Sequence, residues 1–304
     1  PAAPLFRRRR VRGGAVGRRG RGDEQRISEV LHRMTAEDPT LVVAHDTTLN
    51  ETVLWGLGEL HLRSVLERMA GQFKLEVTTR PPRIPYRETI TAAADGHSRH
   101  KKQTGGAGQF GEVFLKIEPL ARGAGFEFVS TVKGGAIPTS LIPAVQKGVE
   151  HVLAAGPLAG FPLHDVRVNV YDGKYHPVDS KEVAFVAAGR KAFLDAIAKA
   201  RAIVLEPVVG VEINCPAANI GDVTGDLASR RGQVTGTKTP RSGSRAVTGQ
   251  APLAELEGYA ARIKSMTGGL GAWSMELSHY EPAPPSLQQQ LSAEHAKHRR
   301  HEED

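Results

Sequence analysis

The chain has 304 residues, 40% of them apolar, which is enough to build cores for two or three domains. Its net charge is +7, but eight arginines and no acid fall in residues 1–22, so 7 less 8 leaves the rest at −1. The basic balance therefore belongs to one stretch, and nucleic-acid binding by the folded body would have to come from local clusters. No apolar run approaches the ~20 residues of a membrane-spanning helix, and no N-terminal stretch reads as a secretory signal. The single Cys215 cannot close an internal disulfide, which points to a reducing, cytoplasmic setting.

Residues 1–22 are mostly Arg, Gly, Ala and Pro and read as a disordered or aberrant tail, with an electrostatic arm as the rival reading. Residues 23–82 form a first unit. Ile27, Val30, Leu31 and Met34 share one helical face, and Asp23 stands where a cap would. A hairpin at 41–44 and 52–55 follows, turning through 47–50. Then come a helix with Leu60, Leu62, Val65, Leu66, Met69 and Phe73 inward and a strand at 75–79. One more strand before the first helix would complete a split βαβ sandwich, but the Arg-rich segment does not read as one.

A second unit spans 83–203. Strands are expected at 84–91, 112–118, 125–132 and 166–171, with a long polar loop at 95–111. Helices are expected through Ile142, Val145, Val149, Val152 and Leu153, and over 181–202. A third unit, 204–281, reads β-α-β-β-α-β: strands at 208–214, 233–238, 245–251 and 272–279, helices at 220–231 and 255–267, with Asn219 as a cap. Residues 282–304 are a Pro-rich linker, a short helix over 287–296 and a polar tail.

No P-loop spacing occurs, and the Gly-rich run Gly105-Gly106-Ala107-Gly108 leads into a β-type sequence rather than a helix N-terminus, so no dinucleotide site is expected. Preceded by Arg99-His100-Lys101-Lys102-Gln103-Thr104, it suits contact with a phosphate backbone instead. Tyr175 and His176 form a second RNA-contact candidate by stacking and hydrogen bonding. His176, Asp179 and Ser180 hold the residue types of a hydrolytic triad, although Asp179 or Ser180 could equally cap the next helix. The spacings of His97 with His100, and of His295, His298 and His301, do not resemble a zinc site, and no metal is expected. Arg230-Arg231 at a helix end and Thr267-Gly268-Gly269 at another are read as phosphate contacts or as ordinary caps.

Several long motifs occur in one order: Ala36-Glu37-Asp38-Pro39-Thr40, then Gly56-Leu57-Gly58-Glu59-Leu60-His61-Leu62, then Tyr86-Arg87-Glu88-Thr89-Ile90. After these come residues 100–111, Ile142-Pro143-Ala144-Val145-Gln146-Lys147-Gly148, Tyr171-Asp172-Gly173-Lys174-Tyr175-His176 and residues 221–232. Together they resemble the C-terminal half, domains III, IV and V, of bacterial elongation factor G, the ribosomal translocase. Pro177 and Lys181 stand where the common factor favours an acid and Ser, and residues 280–290 look more like a paralogous group of that family.

The resemblance implies an α+β chain with two ferredoxin-like split βαβ sandwiches flanking a ribosomal-protein-S5-like α/β domain. It implies that Arg99, His100, Lys101, Lys102, Gln103, Thr104, Gly105, Gly106, Gly108, Gln109, Phe110, Tyr175 and His176 form a tip that enters the decoding site and meets the tRNA–mRNA duplex. Arg230, Arg231, Thr267, Gly268 and Gly269 would face large-subunit ribosomal RNA and the stalk base. The implied partners are both ribosomal subunits, ribosomal RNA, tRNA and mRNA, met as a monomer. No catalytic residue and no cofactor belong to this chain in that reading, because GTP and magnesium bind the family's GTPase domain. The rivals are a hydrolase built on His176, Asp179 and Ser180, and a protein adaptor indifferent to RNA.

Overall fold

A computed structural model describes residues 11–17, 23–46, 51–102, 108–238 and 245–303. The chain divides into two compact units, Pro1–Pro85 with Pro207–His279, and Tyr86–Glu206 with Tyr280–Asp304. Both mix helices and sheets, as the α+β expectation requires.

The first unit holds two sheets. In one, the order is β2 (Val42–Asp46), β3 (Glu51–Gly56), β1 (Val11–Gly17), β4 (Thr78–Arg80), antiparallel along β2–β3–β1–β4. The tail expectation is corrected at this point: residues 11–17 are a strand inside the sheet, pairing Ala15 with Val53 on one side and Arg80 on the other. The register slips by one residue between Arg12 and Ala15. A bulge there breaks the period-2 pattern by which a strand is recognised, and the flanking arginines hide the rest. Residues 1–10 and 18–22, and the turn expected at 47–50, lie outside the described residues.

Two helices complete this half, α1 (Asp23–Glu37) and α2 (Glu59–Phe73). Ile27, Val30, Leu31 and Met34 are all buried, with Val65 and Met69 opposite them in the same core. Leu60 is an exception, since it is 73% exposed and belongs to the outer side of α2.

The second sheet runs β11 (Gln233–Lys238), β12 (Arg245–Pro252), β10 (Ala202–Cys215), β13 (Ala272–Pro282). In the first sheet and along the main path of the second, the strands stand side by side in the order second, third, first, fourth of their chain order. Helices α5 (Ile220–Ser229) and α6 (Tyr259–Met266) supply Val223, Leu227, Tyr259 and Ile263 to a core that also takes in Val53 and Trp55 of β3. Asn219 stands at the N-cap of α5 as expected but makes no side-chain cap bond; its side-chain N–H donates instead to Met266 O at 2.9 Å.

In the second unit, β5 (Arg87–Ile90) pairs with residues 202–205 of β10. A four-stranded sheet follows, ordered β6 (Ala94–Lys102), β7 (Gln109–Pro119), β9 (Val166–Lys174), β8 (Phe126–Ser130). It corrects the expected polar loop at 95–111, most of which is two hydrogen-bonded strands. β6 lies on the sheet edge and buries only Gly96, so it has no apolar alternation to read. The reason is steric: a Cβ on Gly96 would stand 2.1 Å from Ala192 O of the helix above. That helix, α4 (Glu182–Lys199), and α3 (Ile142–Ala155) cover Val113, Leu115, Ile117, Val166, Val168 and Val170.

Helix α7 (Pro285–Glu303) is longer than expected. Its Gln288 side chain accepts from Val204 N–H at 3.1 Å and donates to Ala283 O at 2.7 Å.

Candidate nucleic-acid interface

The sheet of β6, β7 and β9 delivers the end of one strand and the start of another to a common edge. Lys101 pairs with Phe110 and Lys102 with Gln109, while Glu112 pairs with Lys174 on the far side. Strand register therefore brings residues about 70 apart in sequence to one tip. They line a cleft of about 410 Å³ formed by Arg99, Lys101, Lys102, Gly108, Gln109, Phe110, Lys174, Tyr175, His176 and Asp179.

Four permanent cations and one histidine meet a single carboxylate in that lining. Arg99, Lys101, Lys102 and Lys174 make no ion pair among the described residues; the Arg99 guanidinium stacks on the Phe110 ring with 5.3 Å to its centroid. Such cations keep their charge available for a ligand. His100 and Gln109 are joined by a 3.2 Å contact between Nε2 and Oε1. Tyr175 and Val178 are exposed.

The loop 175–181 is bonded to the start of β7. Phe110 N–H donates to Asp179 O at 3.0 Å, and Ser180 Oγ donates to Phe110 O at 2.8 Å. A Cβ on Gly108 would sit 2.8 Å from the Asp179 carboxyl carbon, so a larger residue there would make that side chain shift. Neither Asp179 nor Ser180 caps α4, whose N-cap is Lys181 without a side-chain bond.

These contacts also dispose of the triad. His176 Nδ1 and Asp179 Oδ2 are 3.5 Å apart, but the Ser180 hydroxyl meets the His176 backbone N–H, not its ring, and gives its own proton to a carbonyl. A nucleophile with no base on its hydroxyl cannot act in the manner of the serine hydrolases.

The candidate histidine pair separates too. His97 and His100 are three apart on a strand and so point to opposite faces. His97 Nε2 bonds Glu112 Oε1 at 2.9 Å and its ring stacks on Phe114, with 4.1 Å between centroids.

The arginines of the other sheet are placed differently. Arg230 Nε lies 3.1 Å from Asp226, its guanidinium donates to Glu255 O at 2.6 Å, and it covers the Tyr259 ring. Arg262 completes the cluster on Asp226 at 2.9 Å, and Arg231 pairs with Glu255 at 2.9 Å. Burial pushes the Tyr259 hydroxyl up to about 12, and that hydroxyl has no partner among the described residues. Thr267 is buried, donating to Ile263 O and accepting from Gly271 N–H, both at 2.7 Å. Geometry thus gives Arg230 and Thr267 to the fold. Gly268 and Gly269 form an exposed turn with positive φ.

Sequence reasoning found most of the tip but missed Lys174, which only the β7–β9 pairing brings there. It also missed Ser180 as the link between the 175–181 loop and β7. Gln103, Thr104, Gly105 and Gly106 lie outside the described residues.

Comparison with known proteins agrees along almost the whole chain. Residues 10–81 match the family model for elongation factor G domain III, 82–201 that for domain IV, and 203–291 that for the elongation factor G C-terminus. The fold matches a crystal structure of a Thermus thermophilus protein with a TM-score of 0.82 and 37% sequence identity. That match covers 97% of this chain and 43% of the other, so the chain spans less than half the length of that protein. With three consecutive family domains matched in order over residues 10–291, the chain belongs to the elongation factor G family.

Proposed function

We propose that this chain is the ribosome-binding arm of a translation factor, with the tip of β6, β7 and β9 as its RNA-contacting surface. One observation carries the reading: four cations without acidic partners among the described residues stand around a cleft whose lining includes Gln109, Phe110, Tyr175 and His176. Lys and Arg left in this state suit phosphates, while an amide, an imidazole and aromatic faces suit the bases and riboses between them.

In this reading the tip enters the decoding site and holds the tRNA–mRNA duplex during translocation. The partners are the two ribosomal subunits, tRNA and mRNA, and the setting is the cytoplasm. The energy comes from GTP hydrolysis, with magnesium, in a domain other than the three matched here. No described helix is long and apolar enough to cross a membrane.

Co-sedimentation with ribosomes tests the proposal. The chain is expected to pellet with ribosomes at low salt and to be released as salt rises. The double substitution Gln109→Ala with His176→Ala is expected to weaken the association about tenfold or more, each lost contact contributing roughly 0.5–1.5 kcal/mol. Absence of ribosome association at low salt would refute it.

A further inference from the structure

Ser180 stands two residues before α4, one position ahead of the N-cap Lys181, which makes no side-chain bond to the helix. Its Oγ instead donates to Phe110 O and accepts from His176 N–H, both at 2.8 Å. The main chain of Phe110 is thereby tied to this loop at both its polar groups, since its N–H goes to Asp179 O. Inside the loop, Ser180 N–H closes a turn on His176 O at 3.0 Å.

That turn sets the chemistry of the imidazole. Val178 N–H and Asp179 N–H approach His176 Nδ1 at 3.4 and 3.3 Å. Backbone amides only donate, so Nδ1 is the acceptor and the proton resides on Nε2. Asp179 Oδ2 lies slightly farther from the same atom, at 3.5 Å, and could accept only from a protonated Nδ1. The two shorter amide contacts select the unprotonated Nδ1. Its Nε2–H has no partner among the described residues.

We propose that Ser180 is a positioning residue: it ties the 175–181 loop to the start of β7 and holds His176 as the Nε2–H tautomer, a single donor offered to an RNA acceptor. The last clause rests on the RNA-contacting role proposed above; the first two do not. Loss of the hydroxyl leaves a carbonyl and an amide that solvent can reach, so geometry relaxes while stability changes little.

The full chain labelled with 15N-histidine tests this, comparing Ser180→Ala and Ser180→Thr with the wild type and assigning His176 by the signal missing in His176→Gln. The wild type is expected to show the Nε2–H pattern at neutral pH. Ser180→Ala is expected to give averaged ring shifts and about tenfold weaker ribosome binding, and Ser180→Thr to restore both, with thermal midpoints alike in all three. An unchanged tautomer signature in Ser180→Ala would overturn the inference. So would loss of binding that tracks a lowered midpoint and is not rescued by Thr. If the wild type fails to bind ribosomes, the functional reading falls, and the ring shifts still decide the role of Ser180.

Discussion

Lys101 with Lys102, and Arg230 with Arg231, are adjacent cationic pairs near glycines, and in sequence they look like equivalent phosphate contacts. Their surroundings divide them. Arg230 is held by Asp226, whose side chain is only 8% exposed, by a backbone carbonyl and by an aromatic face. Lys101 and Lys102 are exposed, on a strand end without an acid in pairing distance among the described residues. A cation already neutralised inside a fold has little charge left to offer RNA, whereas one left in water can exchange its counterions for phosphate. The motif alone does not distinguish a structural arginine from a ligand-binding lysine; the neighbouring carboxylates do.

The largest expected effect sharpens that contrast from the structural side. Arg230→Ala leaves the buried Asp226 with Arg262 alone and uncovers Tyr259. It should lower stability by about 2 kcal/mol in chemical denaturation, with Lys101→Ala and Lys102→Ala within about 0.5 kcal/mol of the wild type. If the lysine variants proved as destabilising as Arg230→Ala, the division would be lost.

A smaller effect probes another internally paired charge by pH. The Asp38 carboxyl is held at about 2, below its ordinary 3.8, by the Thr40 hydroxyl first, then the Thr40 N–H and His61. A depressed carboxylate contributes stability above its unfolded value and loses it as pH falls through the folded one. Asp38→Asn should therefore cost about 1 kcal/mol at neutral pH, a figure discounted because the side chain is one-third exposed. The gap to the wild type should close as pH drops from about 4 toward 2 in thermal unfolding, and a pH-independent gap would contradict the assignment.

What could be read in the sequence follows from burial. The faces of α1 and α3 repeat at helical spacing because each packs on one side, and their predicted residues are in the core. β6 was illegible because an edge strand pressed against α4 through Gly96 buries no side chains that would alternate. β1 was hidden by a register slip within an Arg-rich run. Most of the tip was visible as a cluster of basic residues, but Lys174 and the Ser180 link depend on strand register and on loop contacts between residues 70 apart. Thr267 looked accessible beside its glycines and is in fact spent on the turn that follows α6.

The most direct test is the salt dependence of ribosome binding for the wild type, Lys101→Ala/Lys102→Ala and Arg230→Ala, measured under conditions where all three are folded. Each phosphate contact removed should lower the slope of log K against log salt by about one, so the lysine double variant should lose about two while Arg230→Ala keeps the wild-type slope. A reduced slope for Arg230→Ala with no change for the lysine variant would contradict the assignment of the tip as the RNA surface.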